Sequence, residues 1–146
     1  TRKIAATPNL RWGQFVIADE GKPAARVLYD AASRPAAETF AAQVRRETGV
    51  MLPVAALLDG TTPEESVVFL SNRTAEFDAW ARTLNGAVNR RYPDDGAYVI
   101  HSGDKGNLWI VGGDAAALTL GGLNLLRASD LSPVWFEPTT AAGGAR

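Results

Sequence analysis

From Gly96 to Arg127 the chain reads GAYVIHSGDKGNLWIVGGDAAALTLGGLNLLR. Two β-rich runs, Ala97–His101 and Leu108–Val111, flank a polar, glycine-containing turn, Ser102–Asn107. That pattern predicts a β-hairpin with a longer loop. Leu108 and Ile110 point to one side of their strand and Trp109 and Val111 to the other, so both sides are apolar. A Gly112-Gly113-Asp114 turn follows, and the Asp114 carboxylate suits the N-cap of a helix because it can accept free N–H groups of the first turn. Leu118, Gly122, Leu125 and Leu126 then recur at helical spacing. Adjacent glycines inside this helix, Gly121 and Gly122, cost about 1 kcal/mol each relative to alanine and permit a close helix–sheet contact instead.

Upstream, residues Thr1–Arg11 show no period and read as a lead-in. Gln14–Ala18 and Ala25–Tyr29 are strand candidates separated by the turn residues Glu20-Gly21-Lys22-Pro23, which predicts an opening hairpin. Ser33-Arg34-Pro35 marks a helix start, since serine can cap and proline is tolerated in a first turn. Ala37, Phe40, Ala41, Val44 and Thr48 form one face of a helix over Pro35–Thr48, stopped by Gly49. Val50–Ala55 is a strand that Pro53 assigns to a sheet edge, and Asp59–Pro63 is a loop. Ser66–Ser71 is the cleanest strand, apolar on both faces. Thr74–Leu84 reads as a helix with Phe77, Trp80, Ala81 and Leu84 on one stripe, and Asn85–Gly96 as a polar loop. The expected fold is α+β, a mixed sheet of five or six strands with three helices and a terminal hairpin followed by a helix. A strand apolar on both faces needs cover on both. Three helices fall short of covering both faces, so another domain or subunit is expected on one side.

At 146 residues the chain is about one domain. A net charge of −1 gives no pull toward nucleic acid or anionic lipid, so neither is an expected partner. With no cysteine, disulfides, thiolate chemistry and cysteine-based zinc sites are excluded together. No apolar run approaches the roughly 18 residues of a membrane span.

Candidate chemistry is sparse. Asp94 and Asp95 sit in a Pro-Asp-Asp-Gly turn, and Asp104 in a hairpin loop, so turn chemistry explains them first. His101, the only histidine, has no second histidine or cysteine to share a metal, and it ends a strand. The spacing of Asp94, Asp95 and Asp104 matches no calcium loop. Both GxxxxGK[ST] and GxGxxG are absent, and an acid at the Asp114 cap would repel a phosphate. No cofactor and no metal site is expected. Trp80 belongs to a helix stripe and reads as core. Trp12, Trp109 and Trp135 are the candidates for contact with carbohydrate or with another domain, since a flat aromatic face suits either.

Three segments carry a resemblance. They are PAAETFAAQVRRETGVMLPV (Pro35–Val54), GAYVIHSGDKGNLWIVGGDAAALTLGGLNLL (Gly96–Leu126) and LSPVWFEP (Leu131–Pro138). In this order the chain resembles the small non-catalytic α/β domain that precedes the catalytic barrel in bacterial alpha-glucuronidases and related glycoside hydrolases. It is similar also to the domain before the barrel in beta-hexosaminidases. Where that family places an aromatic beside glycine, this chain has Leu120-Gly121-Gly122. The aperiodic start reads as a lead-in over 1–13 and the Thr-Thr-Ala-Ala-Gly-Gly run as a linker or truncated tail over 139–146, and between them the resemblance implies one accessory domain over 14–138. It implies a partner in the catalytic barrel of the same parent polypeptide, which would begin where this chain ends. Catalytic carboxylates would lie in that barrel, so no residue here is expected to be catalytic. It further implies an extracytoplasmic, periplasmic or secreted, location. The alternative is an independent carbohydrate-binding module that takes oligosaccharide on exposed tryptophans.

Overall fold

The computed structural model describes residues 9–12, 15–58, 65–84, 86–103, 106–128 and 130–132. Two sheets share the chain. The larger has five strands in the order β5-β4-β6-β8-β7. These are β4 (Arg26–Tyr29), β5 (Val54–Ala56), β6 (Ser66–Ser71), β7 (Tyr98–Ser102) and β8 (Leu108–Gly112). β5, β4, β6 and β8 run parallel and β7 pairs antiparallel with β8. The smaller sheet is antiparallel, β3-β2-β1-β9, built from β1 (Asn9–Trp12), β2 (Phe15–Asp19), β3 (Lys22–Pro23) and β9 (Asp130–Ser132). With α1 (Arg34–Thr48), α2 (Phe77–Trp80) and α3 (Ala115–Ala128), this is the α+β fold with a hairpin and a helix at its end.

Several elements form for the reasons their residues supply. α1 stops because Gly49 takes a left-handed conformation, φ 80°, and donates its N–H back to the Arg45 carbonyl. α3 starts on Asp114, whose Oδ1 accepts the Ala117 N–H at 2.8 Å. Gly121 and Gly122 seat that helix on the sheet. A Cβ on Gly121 would lie 2.8 Å from Ile110 Cγ2, and one on Gly122 3.0 Å from Phe69 Cζ. The helix-weakening pair is therefore a packing device. β5 lies at the sheet edge directly after Pro53, where the missing N–H costs no ladder bond.

Other expectations change. Asn9–Trp12, within the expected lead-in, is a strand, because β2 and β9 pair with it on either side. The opening hairpin turns at Glu20-Gly21 but its return arm is only Lys22–Pro23. Arg26–Tyr29 leaves for the other sheet, where β6 offers it a parallel apolar partner. Ser33 makes no side-chain cap on α1, whose entry is instead a 3-10 turn over Ala31–Ser33. The expected helix over Thr74–Leu84 is a short α2 followed by a 3-10 turn over Ala81–Leu84. The expected loop Asp59–Pro63 and the segment Pro133–Pro138 lie outside the described residues.

The largest correction concerns cover. Every residue of β6 and β8 is buried. One sheet face, carrying Val27, Val67, Phe69, Leu108 and Ile110, packs with Phe40 and Val44 of α1, with Leu118 and Leu125 of α3, and with Leu10 and Ile17 of the small sheet. The opposite face, carrying Leu28, Val68, Leu70, Trp109 and Val111, is covered by Phe77, Leu84 and Val88. The chain thus covers both faces itself, without the second domain that the strand pattern called for. A short α2, a 3-10 turn and irregular chain supply the cover on that face.

Candidate functional site at the C-terminal edge of the sheet

β4 has β5 on one side and β6 on the other. The chain leaves β4 toward α1 on one sheet face and leaves β6 toward α2 on the other. Where connections diverge like this, the carboxyl ends of the strands form the crevice in which open parallel sheets bind ligands. In this molecule, four polar residues occupy that place: Asp30 and Ser33 after β4, and Ser71 and Asn72 at the end of β6. All four are buried.

Asp30 is 1% exposed. Its Oδ2 accepts the Ser71 N–H at 3.1 Å and the Thr74 hydroxyl at 3.5 Å, bridging the two diverging connections. Its Oδ1 and the Ser33 Oγ beside the carboxyl close no well-aligned hydrogen bond. Burial pushes the Asp30 carboxyl above the usual carboxylate range. The Ser33 hydroxyl and the Ser71 N–H pull the other way without offsetting it, and nearby Glu76 adds to the rise. Asn72 donates from Nδ2 to the Asn89 carbonyl at 2.8 Å and the Pro93 carbonyl at 3.0 Å. The crevice is filled by the protein's own side chains, with Asp30 in the position of an internal ligand.

Around this core lies an exposed charged rim. Arg73 donates to Asp95 at 3.1 Å, lies 3.7 Å from Asp94, and donates to the Arg90 carbonyl. Arg90 in turn pairs with Asp78 at 2.9 Å, an interaction that lowers the Asp78 carboxyl from its ordinary value. Asp94 and Asp95 are thus the anionic half of a surface ion pair. Asp114 caps α3 with Oδ1 and accepts the Gly96 N–H on Oδ2 at 2.9 Å, tying the turn before β7 to the helix start.

The described candidates Trp12 and Trp109 lie in different cores and share no surface. Trp109 is fully buried, its ring 6.0 Å from that of Trp80, and in this position it presents no face to a ligand or a neighbouring domain. Trp12, in the small sheet, is half-buried against the first core. Trp135 and Asp104 lie outside the described residues. His101 is half-buried on β7, opposite Trp109. Among the described residues no group of three or more His, Asp or Glu side chains could hold a metal, and no helix is long and apolar enough to cross a membrane.

Asp30 was not visible as a site in the sequence, where Tyr-Asp-Ala-Ala-Ser reads as a strand end and a helix approach. The available signal was an acid directly after an apolar strand and before a helix start, a common way to end either element. No protein-family model and no curated protein matches the chain.

Proposed function

We propose that this chain is a non-catalytic accessory domain of a carbohydrate-active glycoside hydrolase, seated against a catalytic barrel in the same exported polypeptide. The observation that carries this reading is the succession of two signatures within one α/β unit. Pro35–Val54 runs through α1 to the Gly49 stop and enters β5. Gly96–Leu126 runs through the β7–β8 hairpin and the Asp114 cap into an α3 packed on the sheet through its paired glycines. That is the order of elements expected of such a domain. The carboxylates also find structural employment: Asp114 caps, Asp94 and Asp95 neutralise Arg73, and Asp30 lies in the core.

With both sheet faces covered, the surface best suited to a barrel is the rim at β5. Met51 is 64% and Leu58 63% exposed, and all of Val54–Ala56 is exposed between them. Immunodetection of the native polypeptide with an antibody raised against this domain tests the reading. A product several-fold longer than 146 residues that hydrolyses a glycosidic substrate is expected. A native product of this length alone overturns it.

A further inference from the structure

Beyond Ser71, the last residue of β6, residues 72–84 and 86–93 close the second sheet face with little regular structure, and buried polar groups hold this cover down. Asn72 reaches the carbonyls of Asn89 and Pro93. Asp30 accepts the N–H of Ser71, the last residue of β6, and the hydroxyl of Thr74, where the cover begins. We propose that the Asp30 carboxyl is a proton-operated latch, holding the 72–93 cover on the sheet when neutral and favouring its release when ionised.

The placement of the carboxyl supports this. Tyr29 pairs with Ala56 on one side and Phe69 on the other, so Asp30 continues the ladder between Leu57 and Leu70, both buried. The charge of an ionised Asp30 would thus lie among apolar neighbours, with the N–H groups of Ser71 and Ser33 and the hydroxyls of Thr74 and Ser33 as its only polar contacts among the described residues. A buried charge without a cationic partner is costly. The described groups facing it from each packed element supply none. The turn before α2 brings Glu76, an acid. Arg73 is turned to Asp94 and Asp95. Arg34, beyond the 3-10 turn, pairs with Glu38 and lies over the Tyr29 ring. Among the described residues, the β5 side brings Leu57. Opening the cover lets water hydrate the carboxylate and removes the penalty.

The direction follows from linkage. The folded carboxyl titrates above its value in the opened chain, so the closed form holds the proton more tightly. Below the ordinary carboxylate range both forms are protonated and the latch is fully closed. As pH rises from there to the folded midpoint, opening grows by about tenfold per pH unit, and above the midpoint it levels off. The latch is independent of the accessory-domain reading, since it needs only this chain.

Amide hydrogen exchange across pH 4 to 8, corrected for intrinsic exchange, tests it alongside a carbon-detected NMR titration of the Asp30 carboxyl. Expected is an Asp30 midpoint above the ordinary carboxylate range, with the Ser71 amide titrating alongside it. Protection in 72–93 should fall over the same interval while α1 stays unchanged. Asp30→Asn, a neutral near-isostere, should remove the pH dependence and leave this segment protected throughout. Glu76→Gln should keep the dependence and move its midpoint down. An Asp30 midpoint at or below the ordinary range overturns the proposal, even if Asp30→Asn does not fold. So does the same pH dependence of 72–93 in wild type and Asp30→Asn.

Discussion

The two faces of the five-stranded sheet bury similar strands under different kinds of cover. On one face α1 and α3 lie side by side and present repeating apolar positions: Ala37, Phe40 and Val44 from one helix, Leu118 and Leu125 from the other. Their backbones satisfy their own hydrogen bonds, so the apolar stripe does the holding. On the other face a four-residue α2, a 3-10 turn and irregular chain supply Phe77, Leu84 and Val88. This cover has turn bonds of its own, such as the Phe77 N–H to the Thr74 carbonyl and the Asn89 N–H to the Tyr92 carbonyl, and side chains add anchors to them: Asn72 on two carbonyls, Asp30 on the Thr74 hydroxyl, and Asn89 Oδ1 accepting the N–H groups of Arg91 and Tyr92. A helix covers a sheet by periodicity, whereas an irregular segment covers it by anchoring. The first is robust to loss of a polar group and the second is not.

Truncating one aromatic on each face gives the strongest test of that difference. Phe40 is fully buried with its ring 5.5 Å from that of Phe69, and Phe40→Ala should cost about 3–5 kcal/mol of global stability in denaturant unfolding. Phe77→Ala on the second face should fall at or below the low end of that range, about 3 kcal/mol, because irregular chain collapses into the space more readily. Its lost hydrogen-exchange protection should be concentrated in 72–93. Equal global losses for the two would break the comparison.

Gly122→Ala sharpens the helical side. Helix propensity alone would gain about 1 kcal/mol. The added Cβ, 3.0 Å from Phe69 Cζ and 3.4 Å from Phe40 Cβ, should turn this into a net loss of about 1–2 kcal/mol through overpacking. A higher melting temperature would show that α3 can lift from the sheet at no cost.

Asn72→Ala sharpens the irregular side. It strips donors from two carbonyls in a buried setting and should cost about 1–3 kcal/mol. The loss should appear as faster exchange in 86–93 with α1 unaffected. At the small end, Arg90→Ala breaks a solvent-exposed pair with Asp78 and should lower stability less than Asn72→Ala does, and less again in high salt. A larger loss would mean that the charged rim, and not the buried anchors, holds this cover.

The first face could be foreseen from sequence and the second could not. α1 and α3 announce themselves through periodicity, a glycine stop and an aspartate cap, all of which act within a few residues of one another. The helix stripe Phe77, Trp80, Ala81 and Leu84 was correctly seen as apolar and indeed faces the core, half of it as a 3-10 turn. That so short a segment would complete the cover depended on Asn89 and Pro93 folding back onto Asn72, a contact no local pattern encodes. Asp30 escaped notice for the same reason: its partners, Ser71 and Thr74, lie across a strand pairing.

By itself the sequence determined the α+β class, the hairpin and helix at its end, the extent of α1, the edge position of β5 and the doubly buried character of β6 and β8. Those follow from side-chain period, glycine and proline geometry and capping, which operate over short spans. Only the tertiary structure decided that Asn9–Trp12 is a strand, that Arg26–Tyr29 joins a parallel sheet instead of a hairpin, and that the Asp30 carboxyl is buried at the end of β4. Each of these depends on a partner far along the chain, β9 for the first, β6 for the second and Ser71 for the third. Pairing energies of that kind are fixed by which segments meet, and a linear pattern does not carry that information.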